Sequence, residues 1–161
     1  MSTIKVTNIN DTSNNVSLVT DNAGIKTDKL TGNSTAGSIS VVGEGNSTTT
    51  NLQQGLSKLF AKFQGDNASV NDSFNVSSVD DDNTGYNGVN FTNNMAAIHY
   101  ATHSTTAHNY GSSNDGVSSA VASSDGEAGM TTSSVQLSHL QSGGSNGDPT
   151  AVHVTIDGDL A

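Results

Sequence analysis

The chain has 161 residues and a net charge of −10, with five lysines and no arginine. Phosphate-backbone binders cluster Lys and Arg, so this balance argues against nucleic acid as a partner and mainly confers solubility. The absence of cysteine excludes a disulfide framework and a thiolate metal site. Leu, Ile, Val and Phe number 32 of 161, at the border where disorder becomes the default reading. Ordering a residue costs roughly 1–2 kcal/mol, so a chain this poor in apolar surface is expected to complete its core with further copies of itself.

Met1–Gly45 reads as short strands broken by turns. Ile4/Val6 and Val16/Leu18 alternate around Asn10–Asn15, Asp21–Gly24 turns again, and Gly24–Leu30 and Ser38–Val42 add two more short segments. Each is too short to bury itself, which predicts a β-rich arm (1–45) that needs neighbours. Asn46–Thr50 is a polar, hinge-like link to a second domain, 46–161. Thr50 or Asn51 can cap a helix, and Leu52, Leu56, Leu59, Phe60 and Phe63 fit a helical period. Lys58–Gln64 also fits a strand with Leu59, Ala61 and Phe63 on one face, and Gly55 opposes a long helix.

The clearest local signal is a hairpin. Ser73–Val79 alternates Phe74 and Val76 with polar residues, Gly88–Thr92 does the same with Val89 and Phe91, and Asp80-Asp81-Asp82-Asn83-Thr84-Gly85 between them is turn chemistry. Phe74 and Phe91 are therefore expected to face one core from neighbouring strands. Ala97–Thr102 continues as a strand, and His103–Asp125 is a Ser/Asn/Gly/His-rich excursion with weak apolar signals at Val117 and Val121. Thr132–Leu140 and Ala151–Asp157 read as closing strands, joined by a loop over Ser142–Pro149.

Candidates for chemistry are few. His99 and His103 share a helix face at that spacing, but in a strand they stand about 13 Å apart, too far to hold one ion. A three-fold axis is the remaining way to gather copies of one histidine around a metal; polar strand and loop residues are the plainer reading of His99, His103, His108, His139 and His153. Asp80, Asp82, Thr84 and Gly85 imitate an EF-hand loop, yet its twelfth position falls on Phe91, where a bidentate Glu is required. No G-x-S-x-G, H-E-x-x-H, P-loop or dinucleotide pattern occurs. No catalytic residue, cofactor or metal site is assigned. What remains is a surface-recognition loop, His103, His108, Tyr110, Asn114 and Asp115, with one aromatic among adaptable hydrogen-bonding side chains.

The stretch NLQQGL-K, then DSFNVSS, a short acidic turn and VNFTN-M, resembles a module of fibre proteins of tailed bacteriophages, and MSTIKVTNINDTS resembles the start of such proteins. The resemblance covers Asn51–Tyr100 well and Met1–Asp28 fairly, and it favours a short helix near Asn51–Ser57 followed by a strand. It implies a mainly β protein, a small antiparallel sandwich-like head with an N-terminal attachment arm, assembled as a homotrimer. Leu52 and Leu56 would then offer an axial contact. The expected role is a short fibre or adhesin-like appendage on the virion exterior, docked through its arm to other virion proteins and facing a host glycan or protein. Capsid decoration without host recognition is the alternative, and a glycan-processing enzyme a remote one, since no carboxylate pair stands out. The polar N-terminus lacks a secretion signal and no run is long enough to cross a membrane, so membrane insertion is not expected.

Overall fold

Alternation of apolar and polar residues decides this architecture. In the computed structural model, which describes residues 28–30, 39–43, 45, 48–107, 118–122, 129–141 and 143–161, the secondary structure is entirely strand and turn. The chain divides into two units, Met1–Thr31 and Gly32–Ala161; the described strands all lie in the second. The expected strands of the first 27 residues, and Val117, lie outside the described residues.

The first pair, β1 (Ser40–Val42) and β2 (Thr49–Asn51), forms an antiparallel ribbon with Val41 opposite Thr50. The polar link foreseen at Asn46–Thr50 thus ends in a strand, whose β-branched threonines suit the pleat. The helix expected near Asn51–Ser57 is a single turn instead. Asn51 does act as its cap, its Oδ1 accepting from the N–H groups of Gln53 and Gln54 at 2.8 and 3.1 Å. The turn stops because Gly55 is a poor helix former and because the Lys58 ammonium donates to the carbonyls of Gln53 and Leu56.

Eight further strands build two four-stranded antiparallel sheets. These are β3 (Leu59–Phe63), β4 (Val70–Phe74), β5 (Val76–Asn83), β6 (Tyr86–Phe91), β7 (Ala101–Ala107), β8 (Ser118–Val121), β9 (Ser134–Leu140) and β10 (Ala151–Asp157). One sheet has the order β4-β3-β10-β7, the other β5-β6-β9-β8. The two central strands of each sheet carry the apolar stripe: Leu59, Ala61 and Phe63 with Val152, Val154 and Ile156 in one, Val89 and Phe91 with Val135 and Leu137 in the other. All belong to a single buried cluster, joined by Met95 and Tyr100. The Tyr100 ring meets the Phe91 ring edge-on with centroids 5.8 Å apart. Its hydroxyl lies 3.0 and 2.9 Å from the carbonyls of Thr131 and Ser134, and burial pushes the phenol up to about 12.

The foreseen hairpin exists, with different limits. β5 runs through the acidic residues to Asn83, which pairs with Tyr86, so the turn is Thr84-Gly85 alone. The alternation from Ser73 to Val79 is not one strand. Asn75 has a left-handed backbone, φ 61°, a conformation Asn tolerates better than most residues. Its side chain donates to the carbonyls of Lys58 and Asn93 and accepts from the Asn93 N–H. Phe74 therefore ends β4 in the first sheet, opposite Phe60, while Val76 opens β5 in the second, opposite Phe91. Phe74 is 53% exposed and Phe91 buried, so the two do not share a core. The strand expected at Ala97–Thr102 starts only at Ala101 and continues to Ala107, inside the His-rich stretch; Val121 belongs to β8.

Replacing Phe91 by Ala should cost the fold of the single chain about 3–5 kcal/mol, and replacing Phe74 should cost that fold, measured apart from any assembly, about 1 kcal/mol or less. Equilibrium denaturation of the two variants checks the assignment of these aromatics to different environments.

Candidate functional site

The strand registers sort the loops to two ends. The β3–β4 loop, the Thr84-Gly85 turn, the β9–β10 loop and the stems Ala107 and Ser118 share one end: Phe63 lies opposite Val152, Ala107 opposite Ala151, Ser118 opposite Leu140 and Tyr86 opposite Ser138. Of the recognition residues read from the sequence, His103 sits on β7, largely exposed, 3.6 Å from the Asp157 carboxylate. His108, Tyr110, Asn114 and Asp115 lie outside the described residues. His99 precedes β7, so His99 and His103 do not share a strand. Among the described residues, no group of three or more His, Asp or Glu side chains is placed to hold a metal ion.

This end is closed by buried polar groups. The inward stripes of β6 and β9 run Asn87, Val89, Phe91 and Val135, Leu137, His139, so each stripe turns polar at the same end. His139 Nε2 lies 3.0 Å from Asn87 Oδ1, and Asn87 Nδ2 donates to the Gly65 carbonyl at 3.2 Å. Because the Asn87 oxygen accepts, Nε2 carries the proton, and Nδ1 is a buried lone pair without a hydrogen-bond partner. Burial lowers the ring to about 4, against the opposing pull of the Asp148 carboxylate. Asp148 in turn accepts from the Gly85 N–H at 2.5 Å. Backbone bonds from His139 N to Gly85 O (2.7 Å), Gly147 N to His139 O (3.1 Å) and Gly65 N to Pro149 O (3.1 Å) complete the closure. Neither His139 nor Asn87 stood out as buried in the sequence; the signal was there in the period-two continuation of Val135/Leu137 and of Phe91/Val89.

A second surface is the outer face of the first sheet. Across it run the rows Phe74–Phe60–Thr155–His103 and Asp72–Lys62–His153–Thr105. Phe60 and Phe74 stack with centroids 6.2 Å apart and planes 22° from parallel, and both remain substantially exposed. Beside Phe74 opens a depression of about 700 Å³, lined also by Gln53, Gln54, Leu56, Lys58, Asp159 and Leu160. Leu56 and Leu160 are themselves exposed and extend the apolar surface around it. Such a face offers aromatic contact framed by amide, carboxylate and imidazole groups, the composition of an interaction surface more than of a reaction centre.

No protein-family model, curated protein or solved structure matches the chain. Its function is therefore argued from these surfaces.

The Gly85 turn is a close-packed point of the closed end. Its φ is +74°, and a Cβ there would stand 2.7–2.9 Å from Gly147 N, His139 O and Asn146 Cβ. Gly85→Ala should destabilise the fold by more than about 1 kcal/mol, read from chemical unfolding, whereas Gly143→Ala, in open space, should stay within about 0.5 kcal/mol.

Proposed function

We propose that the chain is a structural protein of a virion: a short trimeric fibre or adhesin-like appendage of a tailed bacteriophage, acting without catalysis. The observation that carries this reading is the exposed aromatic pair Phe60–Phe74 with Leu56 and Leu160 beside it. An apolar surface of this kind on a chain otherwise rich in Ser, Thr and Asn is suited to burial by sister copies. The resemblance of NLQQGL-K, DSFNVSS and VNFTN-M to phage fibre modules gives the assembly its identity. In this reading the two sheets form a sandwich-like head, the aromatic face lies toward the assembly, and the sequence between Ala107 and Ser118 serves to recognise a host glycan or protein. The N-terminal unit docks to other virion proteins.

In solution the mass should be three times that of the chain. Phe60→Ser combined with Phe74→Ser should reduce it to the monomer mass while leaving the β-rich circular dichroism intact. A folded, monodisperse monomer of the unaltered chain would refute the assembly. A chain starting at Gly32 should fold but fail to attach to particles lacking the native protein. Removing residues 108–117 should leave attachment intact and reduce host adsorption; unchanged adsorption would favour capsid decoration.

A further inference from the structure

His139 is the one histidine of the described residues whose ring is fully buried, and its hydrogen bonds and those of its neighbours hold three separate loops. Asn87 links the ring to Gly65 in the β3–β4 loop. The His139 backbone binds Gly85 in the β5–β6 turn and Gly147 in the β9–β10 loop. Asp148 then ties that loop back to Gly85. We propose that His139 is an acid-sensitive latch, whose protonation opens the β3–β4 loop, the β5–β6 turn and the β9–β10 loop together while the two sheets stay folded.

The chemistry follows from the unpartnered nitrogen. Protonating Nδ1 places an N–H and a positive charge where no acceptor stands, and a buried charge without a partner costs several kcal/mol. The carboxylate that acts on the ring is Asp148, already engaged by the Gly85 N–H. Relief comes by admitting water or by drawing Asp148 away from Gly85, and either breaks the tie between turn and loop. The other elements packed here bring no competing charge: β6 presents Asn87, β8 places Ser119 opposite His139, and Asp66 beside Gly65 is exposed. On β5, Asp80 and Asp82 bond Asn90 and Gln136.

The sign is fixed by the lowered ring. Above the ordinary histidine value of about 6.5 both closed and open forms are neutral at this site, and the latch holds fully. Below it the open form takes up a proton that the closed form refuses, so closure weakens as pH falls from there toward about 4. Unfolding of the sheets, held by the apolar cluster, exposes the same ring and carries the same slope, but from a much larger free energy than opening of the loops.

Amide hydrogen exchange of the full chain between pH 8 and 4, corrected for intrinsic rates, tests the proposal. Protection of Gly65, Gly85 and Gly147 should fall about tenfold for each pH unit below the histidine range, through an opening that leaves the amides of β3 and β10 far better protected at every pH. Ring C–H shifts of His139 should titrate in step with that opening. His139→Gln, which can still donate to Asn87, should make loop protection independent of pH in this range. Equal protection of loops and central strands at every pH, which would mean that they open only together, would overturn the latch, as would a midpoint that does not follow the His139 ring. The ring titration decides the matter even if the Gln variant does not fold.

Discussion

The left-handed backbone at Asn75 is the constraint on which the rest of this structure depends. It lies between two strands that belong to different sheets, and its side chain pins that corner to Lys58 and Asn93. Without a break there, Val70–Asn83 would run as one strand and the first sheet would lose its edge. With it, the chain lays down β3 and β4 in one sheet, crosses to β5 and β6 in the other, and crosses again for β7, for β8–β9 and for β10. The repeated crossing gathers the apolar stripes of distant segments into one cluster, which a chain so poor in large apolar residues could not achieve within any one hairpin.

The same corner separates the two aromatics on either side of it. Phe91 stays inside against Tyr100, whereas Phe74 is turned onto the outer face to stack on Phe60. A core residue and a surface residue thus arise from what looks like one repeated pattern. The exposed pair, with Leu56 and Leu160 around it, underlies the proposed assembly.

At the far end of the strands the core changes character. Asn87 and His139 occupy inward positions that period-two patterning would give to apolar residues, and they are stabilised by one another and by backbone carbonyls. A polar network of this kind fixes loop positions more sharply than apolar packing, because each bond has a direction, and here the His139 Nδ1 is left unpaired. It also makes the end sensitive to charge, which an apolar plug would not be.

The sequence by itself determined the β class and much of the strand map. Leu59/Ala61/Phe63, Val135/Leu137 and Val152/Val154/Ile156 each alternate strictly, and β10 matches the expected Ala151–Asp157, since a strand with one buried face must write its register into every second residue. Asn51 was legible as a cap, although its helix shrank to one turn where Gly55 and Lys58 end it. What only the tertiary structure decided was which sheet each strand joined. The positive φ at Asn75 depends on Lys58 and Asn93, 17 and 18 residues away, the burial of His139 on Asn87, 52 residues away, and the placement of Phe74 on its pairing with Phe60, and local alternation carries no record of such neighbours. Polar His139 and apolar Phe74 reverse their usual places for the same physical reason: position in a sheet, set by long-range pairing, overrides the preference of the isolated side chain.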